Sequence, residues 1–246
     1  MCIRDRDGIL QSNNRITSTK YRIFGNNTQL LRIDEETNCP ILPSDQSRLL
    51  QIIEFQVQTN HPDIIIFQDY DKGVLTQGII RDIMQLATEA KIKVCVDPKR
   101  INFWAYDDVL LFKPNLKELK EGLKMNHIYQ TDEFILKDAI IALQNKINAE
   151  IVLVTLSDEG MVIRYSVESE GFQYQSIPAH LRHIADVSGA GDTVISVASL
   201  CLAAGFSPLL SAEIANVAGG LVCEEVGVVP INAKRLSEEI ERLNLY

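Results

Sequence analysis

Residues 186–193 read Asp-Val-Ser-Gly-Ala-Gly-Asp-Thr, a short polar, glycine-rich turn that opens a long apolar stretch ending near Ala204. The small residues leave backbone N–H groups uncovered at the start of a predicted helix. The first N–H groups of a helix have no internal partners, and the macrodipole adds partial positive charge there. The turn therefore predicts a helix start that attracts anions, with Gly189, Ala190 and Gly191 forming an anion hole.

Asp192, in the first turn of this helix, has two interpretations. A carboxylate near a helix N-terminus is favourable simply because it complements the macrodipole. Alternatively, Asp192 is a general base that takes a proton from a substrate hydroxyl, while the anion hole holds the charge on a transferring phosphoryl group. Position alone leaves both interpretations open.

The hydrophobic pattern on either side of this turn predicts the fold class. Runs rich in Ile and Val alternate with helical patterns, which indicates an α/β protein with a mostly parallel sheet covered on both faces. The predicted helices span residues 44–59, 77–90, 115–123, 131–148, 189–204, 208–225 and 232–243. The predicted strands span residues 63–67, 91–96, 108–112 and 151–155, and residues 160–165 and 172–177 predict a hairpin. Residues 15–33 alternate polar and apolar side chains around Gly25-Asn26-Asn27, the pattern of a second hairpin.

Polar motifs follow the predicted strands at the point where each strand ends. They lie at residues 69–72, 97–100, 113–118 and 155–160. The carboxyl ends of parallel strands meet at one edge of a sheet, which is where such proteins bind ligands. The sequence therefore predicts a ligand site at this edge.

These motifs, in this order and at this spacing, resemble the ribokinase-like (PfkB) carbohydrate kinases, whose C-terminal signature reads Asp-Thr-Thr-Gly-Ala-Gly-Asp. The resemblance covers about residues 15–232 and implies a ribokinase-like three-layer α/β sandwich with a small β lid over the sugar. Family members begin with a segment that has no counterpart here, so we expect the front part of the fold to be missing. We expect residues 1–14 to be a disordered leader outside the family, and residues 15–246 to be a partial kinase domain with lid strands at about 15–36.

Two stretches, residues 15–36 and 191–195, resemble one branch of this family, the kinases of D-glycero-β-D-manno-heptose 7-phosphate. These kinases form the first half of the bifunctional ADP-heptose synthases. The resemblance implies ATP-dependent phosphorylation of the anomeric hydroxyl, giving the 1,7-bisphosphate for lipopolysaccharide core precursors. The alternatives are a ribokinase-like kinase of another sugar or nucleoside, and an inactive nucleotide-binding fragment.

The resemblance also implies roles for individual residues. It assigns Asp192 as the base beside the anion hole of Gly189, Ala190 and Gly191. The residues implied in nucleotide binding are Asn115, Glu118, Thr155, Ser157, Gly160 and Asn216. The residues implied in substrate binding are Asp69, Lys72 and Lys99. The residues implied in metal binding are Glu118, which would reach Mg²⁺ through water, and Asp186, at the place where many relatives hold a monovalent cation such as K⁺.

Each of these residues also has an ordinary structural interpretation. Asn115 and Glu118, three apart at a helix start, fit an N-cap with an acidic partner. Asp186 fits a capping residue equally well, and a helical Asn such as Asn216 faces solvent by default. Lys72 and Lys99 fit solvated surface lysines, and His180 with His183 fits an exposed loop because no Cys or carboxylate cluster accompanies the pair.

The bulk composition narrows the kinds of partner. The chain has 246 residues, 46% of them hydrophobic, and a net charge of −9, which argues against a nucleic-acid or anionic-membrane surface. We expect small-molecule partners, a sugar phosphate and ATP, and a homodimer formed through the lid. Five cysteines without a Cys-x-x-Cys pair, three of them (Cys95, Cys201 and Cys223) in apolar company, indicate buried thiols in a reducing cytoplasm.

Overall fold

The computed structural model describes residues 8–25, 28–125, 133–167, 170–180 and 182–245. The strands are β1 (Thr19–Gly25), β2 (Thr28–Glu35), β3 (Ile64–Gln68), β4 (Lys93–Asp97), β5 (Leu111–Phe112), β6 (Ile151–Thr155), β7 (Met161–Val167) and β8 (Gly171–Ile177). The helices are α1 (Pro43–Asn60), α2 (Gln77–Ala90), α3 (Leu116–Leu123), α4 (Glu133–Ile147), α5 (Ala190–Ala203), α6 (Pro208–Val222) and α7 (Ala233–Leu243). Within these described ranges no helix is both long and apolar enough to cross a membrane.

The central sheet has the strand order β3-β4-β5-β6-β7-β8, with β3 to β6 parallel and the β7–β8 hairpin antiparallel. Successive side chains of a strand point to opposite faces, so a strand buried on both faces is apolar throughout. In β6, Val152 and Val154 join one buried cluster with α2 to α4, and Ile151 and Leu153 join a second cluster with α5 to α7. The α/β class and the mostly parallel sheet are thus confirmed.

The β1–β2 hairpin forms a separate two-stranded sheet, which we call the lid. Its register pairs Tyr21 with Ile33 and Ile23 with Leu31, so these four apolar side chains share one face. All four are about half exposed, between 46% and 51%. The opposite face carries Lys20, Arg22, Arg32 and Asp34, and the first three line the cavity beneath the lid.

The linker from the lid to α1 packs against the loop that follows β3. Arg15 donates hydrogen bonds to the carbonyl oxygens of Cys39 (2.7 Å), Thr37 (3.2 Å) and Lys72. Gly73 has φ 76°, and a Cβ there would lie 2.0 Å from the Cys39 carbonyl oxygen. Only glycine allows this approach, so the lid linker and the loop 69–73 are tied together.

Several element boundaries differ from those predicted, for local reasons. The strand predicted at 108–112 shortens to Leu111–Phe112, because Asp108 has φ 54° and interrupts the extended backbone. Helix α1 begins at Pro43 with Leu42 as its cap, rather than with Ser44. The predicted turn at residues 26–27, the first two residues of the helix predicted at 131–148, and residues 1–7 of the predicted leader lie outside the described residues.

Candidate active site

Helix α5 begins directly after Gly189, which takes the left-handed conformation with φ 84°. Among the described residues no side chain caps this end, and the Ala190 N–H donates to the Val187 carbonyl oxygen at 3.3 Å, so the amides of Gly191 and Asp192 are left open to a ligand. A Cβ on Gly191 would lie 3.7 Å from Nζ of Lys113 and 3.9 Å from Oδ2 of Asp97. The helix start therefore lies directly against a buried ammonium group, which adds to its attraction for anions.

Lys113 and Asp97 form a buried ion pair at the carboxyl ends of two neighbouring strands. Their side chains are 3% and 4% exposed, and Nζ lies 3.2 Å from Oδ1. Gln68, the last residue of β3, donates from Nε2 to the other carboxylate oxygen at 2.8 Å. Lys99 lies 3.7 Å from the same Asp97 oxygen, so loss of Lys113 would leave Asp97 paired with Lys99 alone, whereas loss of Asp97 would leave the buried Lys113 charge uncompensated.

Asp192 lies in the first turn of α5 and is partly buried. Its Oδ2 accepts a hydrogen bond from the Tyr70 hydroxyl at 2.7 Å. Burial raises the pKa of Tyr70, and the hydrogen bond and charge of Asp192 raise it further, so the phenol stays a donor at neutral pH. This bond holds one carboxylate oxygen and leaves Oδ1 for a substrate proton.

The first turn of α5 separates two cavities. The lid cavity, of about 950 Å³, lies between the lid and the sheet, and its lining includes Gly189 and Asp192. The rear cavity, of about 400 Å³, lies on the other side, and its lining includes Ala190 and Gly191. The start of this helix thus presents Gly189 and the Asp192 carboxylate to one cavity, and Ala190 and Gly191 to the other.

Four of the predicted nucleotide-binding residues come together around the rear cavity: Thr155, Ser157, Gly160 and Asn216. Asn216 is 8% exposed and donates from Nδ2 to the Pro178 carbonyl oxygen at 2.8 Å. The solvent-facing alternative for this residue is therefore wrong, since α6 turns it towards the cavity wall.

Asn115 and Glu118 form a reciprocal capping box at the start of α3. The Asn115 N–H donates to Oε2 of Glu118 at 2.8 Å, and the Glu118 N–H donates to Oδ1 of Asn115 at 2.8 Å. An isolated bridge joins Asn115 to Thr155, which places the box beside the rear cavity. Glu118 is 8% exposed and also pairs with Lys99. A carboxylate already held in this way fits a hydrated Mg²⁺ contacted through water better than one bound directly.

Lys99 and Lys72, both predicted to bind substrate, are already paired with carboxylates. Lys99 contacts Glu118 and lies 3.7 Å from Asp97; burial lowers its pKa, but these charges more than offset that effect and raise it overall. Lys72 pairs with Glu36 at the end of the lid and lines the lid cavity. Either lysine would have to share or exchange its carboxylate to bind a phosphate.

Asp69, the third residue predicted to bind substrate, is 2% exposed at the floor of the lid cavity. Its Oδ2 accepts hydrogen bonds from Asn102 (2.9 Å) and Tyr106 (3.1 Å), and its Oδ1 accepts one from the Asp71 N–H (2.8 Å). Such a carboxylate supports the loop 69–73 and contributes to the floor rather than to an open contact surface.

Asp186 stands at the entrance of the glycine-rich turn. It accepts hydrogen bonds from the N–H groups of Ser188 (2.9 Å) and Gly227 (3.1 Å). The hydrogen bonds from Ser188 are the main cause of the lowered pKa of Asp186. Among the described residues no group of three or more His, Cys, Asp or Glu side chains is arranged to hold a metal ion.

The structure adds residues that the sequence reasoning did not assign to the site: Arg22, Tyr70, Asp97 and Lys113. Asp97 and Lys113 stand at the carboxyl ends of adjacent strands, so the strand-end rule contained the signal. Arg22 lines the lid cavity. Its side chain lies on the opposite face of β1 from Tyr21 and Ile23, but the alternation in the sequence does not say which face of the hairpin turns towards the cavity. Nothing in the sequence links Tyr70 with Asp192, which lie 122 positions apart.

Fold and site together define a ribokinase-like α/β protein, with a covered sheet, a β lid and an uncapped glycine-rich helix start beside a carboxylate. The model of the pfkB family carbohydrate kinases matches residues 5–234, and the chain belongs to that family. It is 34% identical over 236 residues to a protein named Bifunctional protein HldE from Desulfatibacillum aliphaticivorans, covering 96% of this chain and 46% of the relative. It is 32% identical over 232 residues to a protein of the same name from Syntrophotalea carbinolica, covering 94% of this chain and 46% of that relative. The chain thus spans about half the length of the curated relatives that it matches.

Solved structures share the fold at low sequence identity. Phosphofructokinase-2 from Escherichia coli in complex with potassium aligns with a TM-score of 0.70 at 19% identity, covering 83% of this chain and 64% of that one. Arabidopsis thaliana ribokinase complexed with ribose and ATP aligns with a TM-score of 0.67 at 19% identity, covering 92% of this chain and 70% of that one.

Proposed function

We propose that the chain is an ATP-dependent sugar kinase that phosphorylates the anomeric hydroxyl of D-glycero-β-D-manno-heptose 7-phosphate, giving the 1,7-bisphosphate. The observation that carries this proposal is the division of roles across the first turn of α5. Asp192 faces the lid cavity, and Ala190 and Gly191 face the rear cavity. A phosphoryl group passing from a nucleotide in the rear cavity to a sugar under the lid would cross this turn.

In the proposed reaction, Asp192 takes the proton of the anomeric hydroxyl through the carboxylate oxygen that Tyr70 leaves free. The hydroxyl oxygen then bonds to the γ-phosphorus of ATP, the bond to the β-phosphate oxygen breaks, and ADP leaves. The amides at Gly189–Gly191, with Lys113 beneath them, hold the charge on the transferring group. The proton carried by Asp192 passes to solvent as the product leaves.

Thr155, Ser157, Gly160 and Asn216 would surround the nucleotide, with Asn115 beside them. Glu118 would hold Mg²⁺ through water, and the ion supplies charge neutralisation at the nucleotide phosphates. Asp69 and Lys72 line the lid cavity and would serve the sugar side, Asp69 by supporting its loop. Lys99 contacts Glu118 and so would lie nearer the proposed Mg²⁺ position. We further propose that Asp186 helps hold a monovalent cation such as K⁺ beside the turn.

The proposed setting is the cytoplasmic synthesis of ADP-heptose for the lipopolysaccharide core, with residues 15–246 acting as one kinase domain. The resemblance of residues 15–36 and 191–195 to kinases of heptose 7-phosphate supports heptose as the substrate. We also propose a homodimer in which the half-exposed apolar face of the lid packs against a second copy. Burying four such side chains removes apolar surface from water, which favours association.

The experiment that tests the function measures ADP release with Mg²⁺ and ATP. The acceptors are heptose 7-phosphate, fructose 6-phosphate, ribose and adenosine. We expect turnover on the heptose phosphate, and a loss of about 10²–10⁴-fold in kcat for Asp192→Asn, the usual range for removal of a general base. Asp82→Asn, on the exposed surface of α2, is the matched control and should keep full activity.

The results separate the alternatives. Full turnover by Asp192→Asn would reject Asp192 as the base. Turnover on a different acceptor alone would replace the heptose. Saturable ATP binding without ADP release on any acceptor would make the chain a nucleotide-binding module instead of a kinase.

A further inference from the structure

Ser188 connects separate parts of the chain immediately before helix α5. Its hydroxyl accepts a hydrogen bond at 3.0 Å from a terminal guanidinium nitrogen of Arg22, which lies on lid strand β1, 166 positions away in the sequence. Ser188 also bonds to Asp186 within the glycine-rich turn, and Asp186 accepts a hydrogen bond from the Gly227 N–H, in the loop after α6, at 3.1 Å. The lid, the turn and this loop therefore meet through Ser188 and Asp186.

The chemistry of the three side chains sets the direction of their hydrogen bonds. A guanidinium has only donors, and an ionised carboxylate has only acceptors. The Ser188 hydroxyl lies between them, so it accepts from Arg22 and donates its single proton to Asp186. The hydroxyl bond is the largest cause of the lowered pKa of Asp186, and the positive charge of Arg22 lowers that pKa further. Arg22 thus acts on Asp186 across Ser188.

The glycine-rich turn does not need this hydroxyl for its own closure. The Ser188 N–H donates to Oδ1 of Asp186 at 2.9 Å, which closes an Asx turn. The Gly227 N–H donates to the other carboxylate oxygen. Both donors are backbone groups, so both bonds would remain with alanine at position 188. What the hydroxyl adds is the connection from the turn to the lid.

Ser188 stands where a shift of the turn would reach the proposed base. It precedes Gly189, the left-handed residue after which α5 begins, and Asp192 lies in the first turn of that helix. The Gly189 carbonyl oxygen accepts a hydrogen bond from the Thr193 N–H at 2.9 Å, so the turn and the helix start move together. Arg22, Ser188, Gly189 and Asp192 all line the lid cavity.

We propose that Ser188 is a positioning residue that couples the lid to the start of α5. With the lid over the cavity, Arg22 holds the Ser188 hydroxyl, and this contact fixes the glycine-rich turn and the orientation of Asp192. Without the contact the turn keeps its Asx hydrogen bond but samples more orientations, so the base is aligned less often. The inference rests on the proposed function for the reaction that is measured, and it makes full activity depend on the contact between lid and turn.

The first test is hydrogen–deuterium exchange without any ligand. Losing a hydrogen bond to a charged group shifts a local equilibrium about 10- to 100-fold, so Ser188→Ala should speed exchange by about that factor in residues 19–25 and 186–193. Coupling between two sites is reciprocal. Arg22→Gln should therefore speed exchange in the turn, and Asp186→Asn should speed exchange in the lid.

The second test is the ADP-release assay at saturating acceptor. Ser188→Ala should lower kcat about tenfold, the lower end of the same range, and leave the KM for ATP unchanged, because the predicted nucleotide residues line the rear cavity. Ser188→Thr should keep most of the activity, since threonine retains the hydroxyl and stands at this position in the family signature. Adding Arg22→Gln to Ser188→Ala should cause little further loss, because both changes break the same contact.

Ser47→Ala is the matched control. The Ser47 hydroxyl donates to the Pro43 carbonyl oxygen within α1, on the exposed surface. This variant should show the wild-type kcat and wild-type exchange in both the lid and the turn.

Unchanged exchange in the lid of Ser188→Ala would overturn the coupling. Additive losses from Arg22→Gln and Ser188→Ala would do the same, as would a Ser188→Thr variant as slow as Ser188→Ala. The coupling and the kinase function fail separately. Transmission of exchange between lid and turn, without ADP release on any acceptor, would reject the kinase and keep the coupling. Normal ADP release by Ser188→Ala, with no transmission, would reject the coupling and keep the kinase.

Discussion

Replacing Tyr70 with Phe removes a single hydroxyl group and tests how the base is held. That hydroxyl donates to Oδ2 of Asp192 at 2.7 Å, and Tyr70 is 49% exposed. A hydrogen bond to a charged group contributes about 1.5–3 kcal/mol, and partial exposure places this one near the lower end. A loss of about 1.4 kcal/mol corresponds to about tenfold in rate.

We therefore expect Tyr70→Phe to lower kcat about tenfold in the ADP-release assay, with the KM for ATP unchanged. The reason is that the carboxylate loses its fixed orientation while the rear cavity is untouched. Tyr174→Phe is the matched control, because the Tyr174 hydroxyl is buried without a hydrogen-bond partner in the described part of the chain. It should keep full activity.

A double-mutant cycle then decides whether Tyr70 acts through Asp192. If it does, adding Tyr70→Phe to Asp192→Asn should cause little further loss. A second tenfold loss in the Asp192→Asn background would refute the reasoning, since Tyr70 would then be acting independently of the carboxylate.

Two further predictions concern stability. Gly73→Ala should lower the free energy of unfolding, measured in urea, by more than Gly171→Ala does. Both glycines have a positive φ, but of the two only Gly73 has backbone atoms where a Cβ would lie. Equal losses of stability would contradict the predicted clash at Gly73. Glu239→Gln tests the pH dependence of stability. The hydrogen bond from Arg242, and to a smaller extent the one from Arg182, lowers the pKa of Glu239 from 4.5 to about 2. A carboxyl group with a lowered pKa stabilises the fold above its unfolded pKa, and this contribution is lost as pH falls. The difference in unfolding free energy between wild type and Glu239→Gln should therefore shrink between pH 4.5 and 2, and a constant difference would count against it.

The elements that could be predicted from sequence are those with strong local signals. Helix α2 and strand β6 lie where the pattern placed them, because Thr76 caps the helix with its side chain and a continuous Ile/Val/Leu run forms the strand. The boundaries that differ depend on single backbone conformations. Asp108 at φ 54° is one such position, and no periodicity reveals it.

The candidate site was predictable only as a location. The strand-end rule brings Asp97, Lys113 and Asp69 to the same edge of the sheet, as the structure shows. The rule does not tell which way each carboxylate points. Asp69 accepts hydrogen bonds from Asn102 and Tyr106, and Asp97 forms an ion pair with Lys113. These partners are distant in the sequence, so only the packing of the fold brings them together.

The lid shows the same limit. Alternation along β1 and β2 separates the charged face from the apolar face, but only the packing of the hairpin over the sheet decides that Arg22 faces the cavity and Tyr21 faces outward.

The contact between the lid linker and the loop 69–73 has a consequence for protein engineering. Arg15 and Gly73 join the lid to the loop that also carries Tyr70, the partner of Asp192. A hairpin transplanted from a relative with a different linker path would meet a loop shaped for another neighbour. Lid and loop therefore form one exchangeable module, and a chimera designed to change acceptor preference should carry both segments together.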